Sequence, residues 1–288
     1  MELSVAKKVR AVGATGNVGA PLVEELLRRG EKVKAGARTK PAQLPAGAEW
    51  VKFDFSDLSN LDEALDGVDR IYALTPAGSL DPVAMLKPVF DAAAARNIKV
   101  VLQTAMGVDA DDNIPARQAE LLLEKSGAPW VVVRPNWFAD NLVTYWGGGV
   151  ANGVFRIPAG DAASSLIDTR DIAAAAAGAL TSDSHNGKAF VLTGPAARTY
   201  AEAVALFSKA LGLPVVYTPV DGETFVRETV AHGVPQAYAE FMAAIFVPVA
   251  NGWKATVTDD VKTLSGKAPH SLEQTVADLA PRLKALAA

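Results

Sequence analysis

Short apolar runs alternate with helical patterns along the first half of the chain. Val9–Val12 is the first run. Val18, Leu22 and Leu26 follow at i, i+4 and i+8, which predicts a helix over about 17–29. Arg28 and Arg29 suit the negative end of its dipole, Gly30 is a natural stop, and Pro21 lies early enough to be tolerated. Further strands read Val33–Ala37, Trp50–Phe53, Arg70–Leu74, Val100–Thr104 and Trp130–Val133. Helices are expected at Leu61–Leu65, 82–96 and 115–126. Strand and helix alternate with short connections, the pattern of a parallel sheet covered on both faces. The strands are continuously apolar, as burial on both faces requires. Arg10, inside the first strand, does not fit that rule.

After Pro135 the pattern changes. A helix is expected from near Phe138, broken by Gly147-Gly148-Gly149, and 150–165 reads as loop. Asp171 reads as the N-cap of an alanine-rich helix over 172–180. Lys188–Thr193 reads as one more strand, and the rest is mostly helical: 199–211, 222–232, 235–246, 259–265 and 271–286. Ser271 with Gln274 forms a capping-box pattern. The expected organisation is a sheet domain over 1–135 to which 166–195 returns, and a smaller lobe from 136–165 and 196–288.

Composition narrows the chemistry. The 288 residues are 50% hydrophobic and 21% charged, with a formal net charge of −4. No basic surface is implied, so nucleic acid is not an expected partner. With no cysteine, thiolate metal sites, iron–sulfur clusters and cysteine nucleophiles are excluded. His185, His232 and His270 lie far apart without ligand spacing, and no metal centre is expected. The amino terminus lacks a signal-peptide layout, and the longest apolar runs are about half of the ~20 residues a membrane span needs. A cytoplasmic protein with no membrane partner, monomeric or homodimeric, is expected.

The turn between the first strand and first helix carries the chemistry. It reads Gly13-Ala14-Thr15-Gly16-Asn17-Val18-Gly19, a G-x-x-G-x-x-G spacing in strand–turn–helix context. Gly13 allows a tight turn, Gly16 lets backbone approach a pyrophosphate, and Gly19 lets the helix pack closely on the sheet. N–H groups at the helix start then face phosphate charge. This predicts a Rossmann-type doubly wound α/β fold with a smaller, mostly helical C-terminal substrate lobe. NAD sites usually carry a carboxylate at the end of the second strand. Here that place reads Ala37-Arg38-Thr39-Lys40. Arg38 suits a ribose 2′-phosphate, so NADP(H) is expected over NAD(H).

These features together resemble the NmrA-like atypical short-chain dehydrogenase/reductases, in particular the NAD(P)H:quinone oxidoreductase and triphenylmethane reductase branch. The carriers are Val12–Gly19; Arg38; Phe53-Asp54-Phe55; Leu74-Thr75-Pro76; Leu102-Gln103-Thr104; Arg134-Pro135-Asn136-Trp137-Phe138 with Asn141; Asp168–Ile172; and Leu192-Thr193-Gly194-Pro195. The resemblance implies that Asp54 and Phe55 lie beside the adenine. It places Leu74, Thr75 and Pro76 under the cofactor, and Thr104 near the nicotinamide. Pro135, Asn136 and Phe138 would flank the nicotinamide end. Each also has a plain structural reading: Asp54, Asp168 and Asp171 as cap or fold residues, Asn141 as a backbone clasp, Thr104 as a strand residue.

Short-chain dehydrogenases use Tyr-x-x-x-Lys to move a proton. None of Tyr72, Tyr145, Tyr200, Tyr217 and Tyr238 has lysine four residues on. The helix at 115 carries Arg117 but no lysine before Lys125, and arginine is a poor proton shuttle. Sugar-nucleotide epimerisation, which needs the tyrosine–lysine pair, is disfavoured. Two readings remain. The protein is a reductase passing hydride from NADPH to an electrophilic small molecule (a quinone, cationic dye, or conjugated iminium or enone), with water or a weak donor such as Thr104 supplying the proton. Alternatively it is a non-catalytic, NADP-binding redox sensor of NmrA type. In the first reading Asn141, Tyr145, Trp146 and Phe246, with Phe225 and Phe241, line the acceptor pocket or simply form the lobe core.

Overall fold

In the computed structural model, residues 8–75, 79 and 81–287 are described; Pro76 lies outside them, as do the side chains of 10–12 and 286–287. The chain begins with β1 (Lys8–Val12), α1 (Gly19–Arg28), β2 (Lys32–Ala37), β3 (Ala48–Lys52), α2 (Leu61–Leu65) and β4 (Val68–Ala73). It continues through α3 (Pro82–Ala95), β5 (Lys99–Gln103), α4 (Pro115–Glu124), β6 (Trp130–Pro135), α5 (Gly147–Ala151), β7 (Val154–Phe155) and β8 (Ala163–Ser164). Then come α6 (Thr169–Thr181), β9 (Lys188–Leu192), β10 (Arg198–Thr199), α7 (Tyr200–Leu211) and β11 (Val216–Tyr217). Four helices close the chain: α8 (Gly222–Ala231), α9 (Gln236–Ala250), α10 (Asp260–Ser265) and α11 (Leu272–Ala287).

Two compact units emerge, the first from residues 1–135, 169–192 and 259–267, the second from 136–168, 193–258 and 268–288. The first unit is a seven-stranded sheet in the order β3-β2-β1-β4-β5-β6-β9, parallel throughout. The strand order reverses between β1 and β4, which is where such sheets open a crevice at the carboxyl ends of their strands. Val100, Val101 and Leu102 of β5 are completely buried, as expected of a central strand covered on both faces. Leu86, Val89, Phe90 and Ala93 of α3, with Ala119 and Leu123 of α4, form the core on one face. Helices α1 and α6 pack on each other and on the strands of this sheet. Arg10 stands in register between Lys34 and Ile71.

Segment 259–267, assigned to the smaller lobe from sequence, groups instead with the sheet unit. The reason is a backbone-to-backbone crossing. A Cβ on Gly178 of α6 would stand 1.8 Å from the carbonyl oxygen of Leu264 in α10, so only glycine admits the contact. Asp260 also accepts a hydrogen bond from the Val191 N–H of β9, at 2.8 Å. The return of 166–195 to the sheet unit likewise shortens to 169–192.

The second unit is built from α5, α7, α8, α9 and α11 around an aromatic core containing Phe155, Tyr200, Phe207 and Phe246. Two small ribbons stiffen it, β8–β10 antiparallel and β7–β11 parallel. Three local expectations change. The segment after Phe138 is a short 3₁₀ turn, Ala139–Leu142. The triple glycine begins helix α5 instead of breaking one. Its close packing explains the choice, since a Cβ on Gly149 would stand 2.9 Å from the Val154 carbonyl oxygen. Asp171 lies inside the first turn of α6, which starts at Thr169, and does not cap it from outside. The Ser271–Gln274 capping box is present, with reciprocal bonds of 2.8 and 3.2 Å.

Candidate cofactor site

Gly13 follows β1 with φ +69°, a left-handed conformation that favours glycine. Its carbonyl accepts from Gly16 N–H at 2.9 Å, and Ala14 N–H donates to Gly36 of β2 at 3.1 Å. The sequence assigns Gly19 to helix–sheet packing, but its close neighbour is the turn itself. An added Cβ would lie 2.0 Å from the Gly13 oxygen and 2.7 Å from its carbon. The turn folds back on the helix start, so Ala14 and Val18 are buried while Thr15, Gly16 and Asn17 face outward. No acidic side chain occupies the first turn of α1. The positive end of that helix is therefore available to an anion.

Arg38 follows directly on β2 and is exposed, as are Thr39 and Lys40. Across the strand end lies Asp54, whose backbone neighbour Phe53 donates to Ala37 at 3.0 Å. The backbone N–H and hydroxyl of Ser56 hold the Asp54 carboxyl below its ordinary value, at 2.9 and 2.7 Å. The charges of Arg38 and Lys52 add to that and slight desolvation opposes it. Asp54 thus caps its own turn. Phe55, half-buried, packs edge-on against Phe53 with centroids 5.0 Å apart. Leu74, just beyond β4, is also half-buried, and its Cδ2 lies 3.4 Å from where a Gly13 Cβ would stand. Thr75 follows, half-buried.

Thr104 stands just past β5, with its N–H on the Val133 carbonyl at 3.0 Å. Its hydroxyl donates to Glu120 Oε1 at 2.6 Å. Glu120 is fully buried and also accepts from Arg134 Nε (3.0 Å) and Nη2 (2.7 Å) and from Arg117 Nη1 (2.9 Å). Arg134 is braced further by Asp109, and Arg117 by Asp112 at 3.1 Å and Glu124 at 2.8 Å. The hydroxyl proton of Thr104 is therefore committed, and Thr104 is not the free proton donor that the sequence suggested. The sequence reading missed this network. Its signals were a glutamate beside Ala119 on the apolar face of α4 and an arginine closing an unbroken valine run in β6. Tyr72, wholly buried, donates to Gln103, and burial pushes its phenol far above the usual value.

Pro135, the last residue of β6, is buried, and its carbonyl accepts from Met106 N–H at 2.9 Å. In the second unit, buried Asn136 donates to Ser165 Oγ and to the Lys254 carbonyl, both at 2.8 Å. Its own oxygen accepts from Trp137 N–H at 2.9 Å. That amide is a framework clasp with no free donor. Phe138, half-buried, forms a bridge with Ile167. Of the expected pocket residues, Phe246 is completely buried and stacks on Trp137 at 4.5 Å, so it is core, not pocket. Trp146 is wedged among Trp137, Phe155 and Phe246. Asn141 is half-buried with no side-chain partner among the described residues, and Tyr145 is exposed. An open cavity of about 630 Å³ lies elsewhere in this unit, lined by Val204, Ser208, Leu213 and Tyr217 among others, and includes none of the residues singled out. Asp168 accepts from Thr275 Oγ1 at 2.8 Å and is buried, a fold residue.

A family model described as NAD(P)H-binding matches residues 13–183. The chain is 31% identical to an NAD(P)H azoreductase of Xenophilus azovorans over 90% of its length and 93% of that protein's. It belongs to the NAD(P)H-binding family. A second relative of this family member is the (4-alkanoyl-5-oxo-2,5-dihydrofuran-3-yl)methyl phosphate reductase of Streptomyces griseus. The two are 32% identical over 90% of this chain and 93% of that one. In fold, the oxidoreductase superposes on an NADPH-dependent quinone oxidoreductase of Escherichia coli, solved with NADPH. The TM-score is 0.82, at 24% identity over 94% of this chain and 99% of that one. The expected NAD(P)H-binding reductase family therefore holds, and the likeness to the quinone oxidoreductase is one of fold. The chain is an NAD(P)H-dependent oxidoreductase, and the relatives carry the reductase reading over the regulatory one.

Among the described residues no cluster of three or more histidine or acidic side chains is placed to hold a metal ion. No described helix is long and apolar enough to cross a membrane.

Proposed function

We propose that the protein reduces conjugated, electrophilic small molecules with NADPH in preference to NADH. The cofactor supplies hydride. The outward backbone at Thr15–Asn17 and the helix end at Gly19 hold its pyrophosphate. Arg38 carries the NADPH preference: it is exposed at the end of β2, and among the described residues it forms no hydrogen bond or salt bridge of its own. Its planar guanidinium can meet a 2′-phosphate with two bonds. Leu74 and Thr75 support the nicotinamide half, with Phe55 beside the adenine.

The acceptor class rests on one observation. Thr104, which the resemblance puts near the nicotinamide, spends its proton on Glu120. Simple ketones need a positioned acid as charge builds on oxygen. Quinones, azo compounds and conjugated enones place that charge over a π-system and take their proton from water. The relatives' names agree in kind, one being an azoreductase and the other reducing an unsaturated oxo-dihydrofuran. NADPH oxidation should be measured at 340 nm against quinones, azo dyes, butenolide-type enones, simple ketones and alcohols. Turnover confined to the first three groups is expected. Efficient reduction of an unactivated ketone would overturn the assignment.

A further inference from the structure

A threonine hydroxyl has one proton and two lone pairs. In Thr104 the proton is fixed by a carboxylate that can move little. Oε1 of Glu120 accepts from Thr104 and from Arg134 Nε, and Oε2 accepts from Arg134 Nη2 and Arg117 Nη1. Asp109 grips the far side of Arg134, while Asp112 and Glu124 grip Arg117. Every member lies in the sheet unit. Glu120 is wholly buried, whereas Thr104 is only half-buried and stands at the carboxyl edge of β5. That is the edge from which Gly13 and Leu74 also follow their strands.

Anything that reaches Thr104 from that edge therefore meets lone pairs. We propose that Glu120 is a positioning residue that makes Thr104 a hydrogen-bond acceptor for a donor on the nicotinamide–ribose half of NADPH, a ribose hydroxyl or the carboxamide N–H. This rests on the NADPH reading above. A carboxylate serving only to neutralise Arg134 would be complete with its two bonds to that guanidinium. The additional 2.6 Å bond fixes the polarity of a side chain that reaches the surface. Such fixing removes a rotor from the bound state before the cofactor arrives, which is how preorganised sites gain affinity.

Binding of two probes tests this without reference to turnover. NADPH carries the nicotinamide half; adenosine 2′,5′-bisphosphate carries the adenine end alone. Thr104→Val should weaken NADPH binding about fivefold to tenfold, the scale of one lost hydrogen bond, and leave the bisphosphate unchanged. Thr104→Ser should restore NADPH binding. Glu120→Gln should reduce the NADPH-to-bisphosphate affinity ratio, and the double variant with Thr104→Val should be no worse than Thr104→Val alone. NADPH is followed by its fluorescence and the bisphosphate by calorimetry. Should Glu120→Gln fail to fold, the two Thr104 variants decide. An unchanged ratio in Thr104→Val, or equal loss for both probes, overturns the inference while leaving the NADPH reading intact. Failure of the unmodified protein to bind either probe overturns that reading and the inference with it.

Discussion

Gly19→Ala is the sharpest test of the turn. The new methyl would stand 2.0 Å from the Gly13 carbonyl oxygen, 2.7 Å from its carbon and 3.0 Å from the Ala14 Cα. Ordinary contact begins near 3.4 Å, so backbone on one side must retreat by about 1.4 Å. There is no flexible side chain to absorb the shift. The displaced oxygen is also the acceptor that closes the turn on Gly16. Overpacking of this kind costs about 1–3 kcal/mol, and loss of the closing bond adds about 1 kcal/mol. A combined 3 kcal/mol lowers the melting temperature by roughly 6–12 °C in a unit of this size. Gly16→Ala supplies the control. Its methyl meets only the Gly13 oxygen, at 3.3 Å, and points into an exposed stretch. It should melt within about 2 °C of the parent, the span of a surface change below 0.5 kcal/mol, yet bind NADPH at least tenfold more weakly. Calorimetric melts and NADPH titrations of both variants decide the matter. A Gly19→Ala protein with parental melting temperature and affinity would refute the packing argument. A Gly16→Ala protein with parental affinity would refute the placement of the pyrophosphate.

Two further outcomes follow from charge. Arg38→Ala should weaken NADPH about 10- to 100-fold, the scale of a lost charge-assisted bond, and leave NADH almost unchanged; equal losses in parallel fluorescence titrations would remove the 2′-phosphate assignment. Glu25 is held down to about 2 from 4.5, first by its hydrogen bond to Arg28, then by that to Arg29, with burial opposing. A depressed carboxyl contributes stability above its unfolded pKa and loses it as pH falls through the folded one. Glu25→Gln should therefore melt below the parent at pH 7 and converge with it between pH 4.5 and about 2; a constant difference across that range would contradict the pairing.

Period and punctuation made the sheet unit legible. Val18, Leu22 and Leu26 are all buried, as their helical spacing requires. The strand order could not be read, because an apolar run does not name its neighbours. The lobe was less legible for a different reason. Gly147-Gly148-Gly149 has poor helix propensity, yet it opens a helix, where a Cβ on Gly149 would stand 2.9 Å from the Val154 carbonyl oxygen. The two-residue strands β7 and β11 are too short to show alternation at all. At the site, the glycines and Arg38 announced themselves through residue type and position. Glu120 did not, because a buried carboxylate looks like a solvated one until its partners, from β6 and the same helix, are brought beside it. Phe246 misled in the opposite sense: an aromatic side chain suits a pocket wall and a core equally well, and only its complete burial separates the two.

The crossing of α6 and α10 at Gly178 also governs how the molecule can be assembled. The sheet needs a helix encoded more than sixty residues after its last strand, and the whole of β10, α7, β11, α8 and α9 intervenes. During synthesis the ribosome must release most of the second unit before the first can be finished. Until then the alanine-rich α6 and the β9 edge lack the cover that α10 supplies. No single cut in the chain yields a complete nucleotide-binding half, and a gene fragment ending after β9 would encode an unfinished one. A lineage that exchanged lobes by recombination would have to splice at five boundaries and not one.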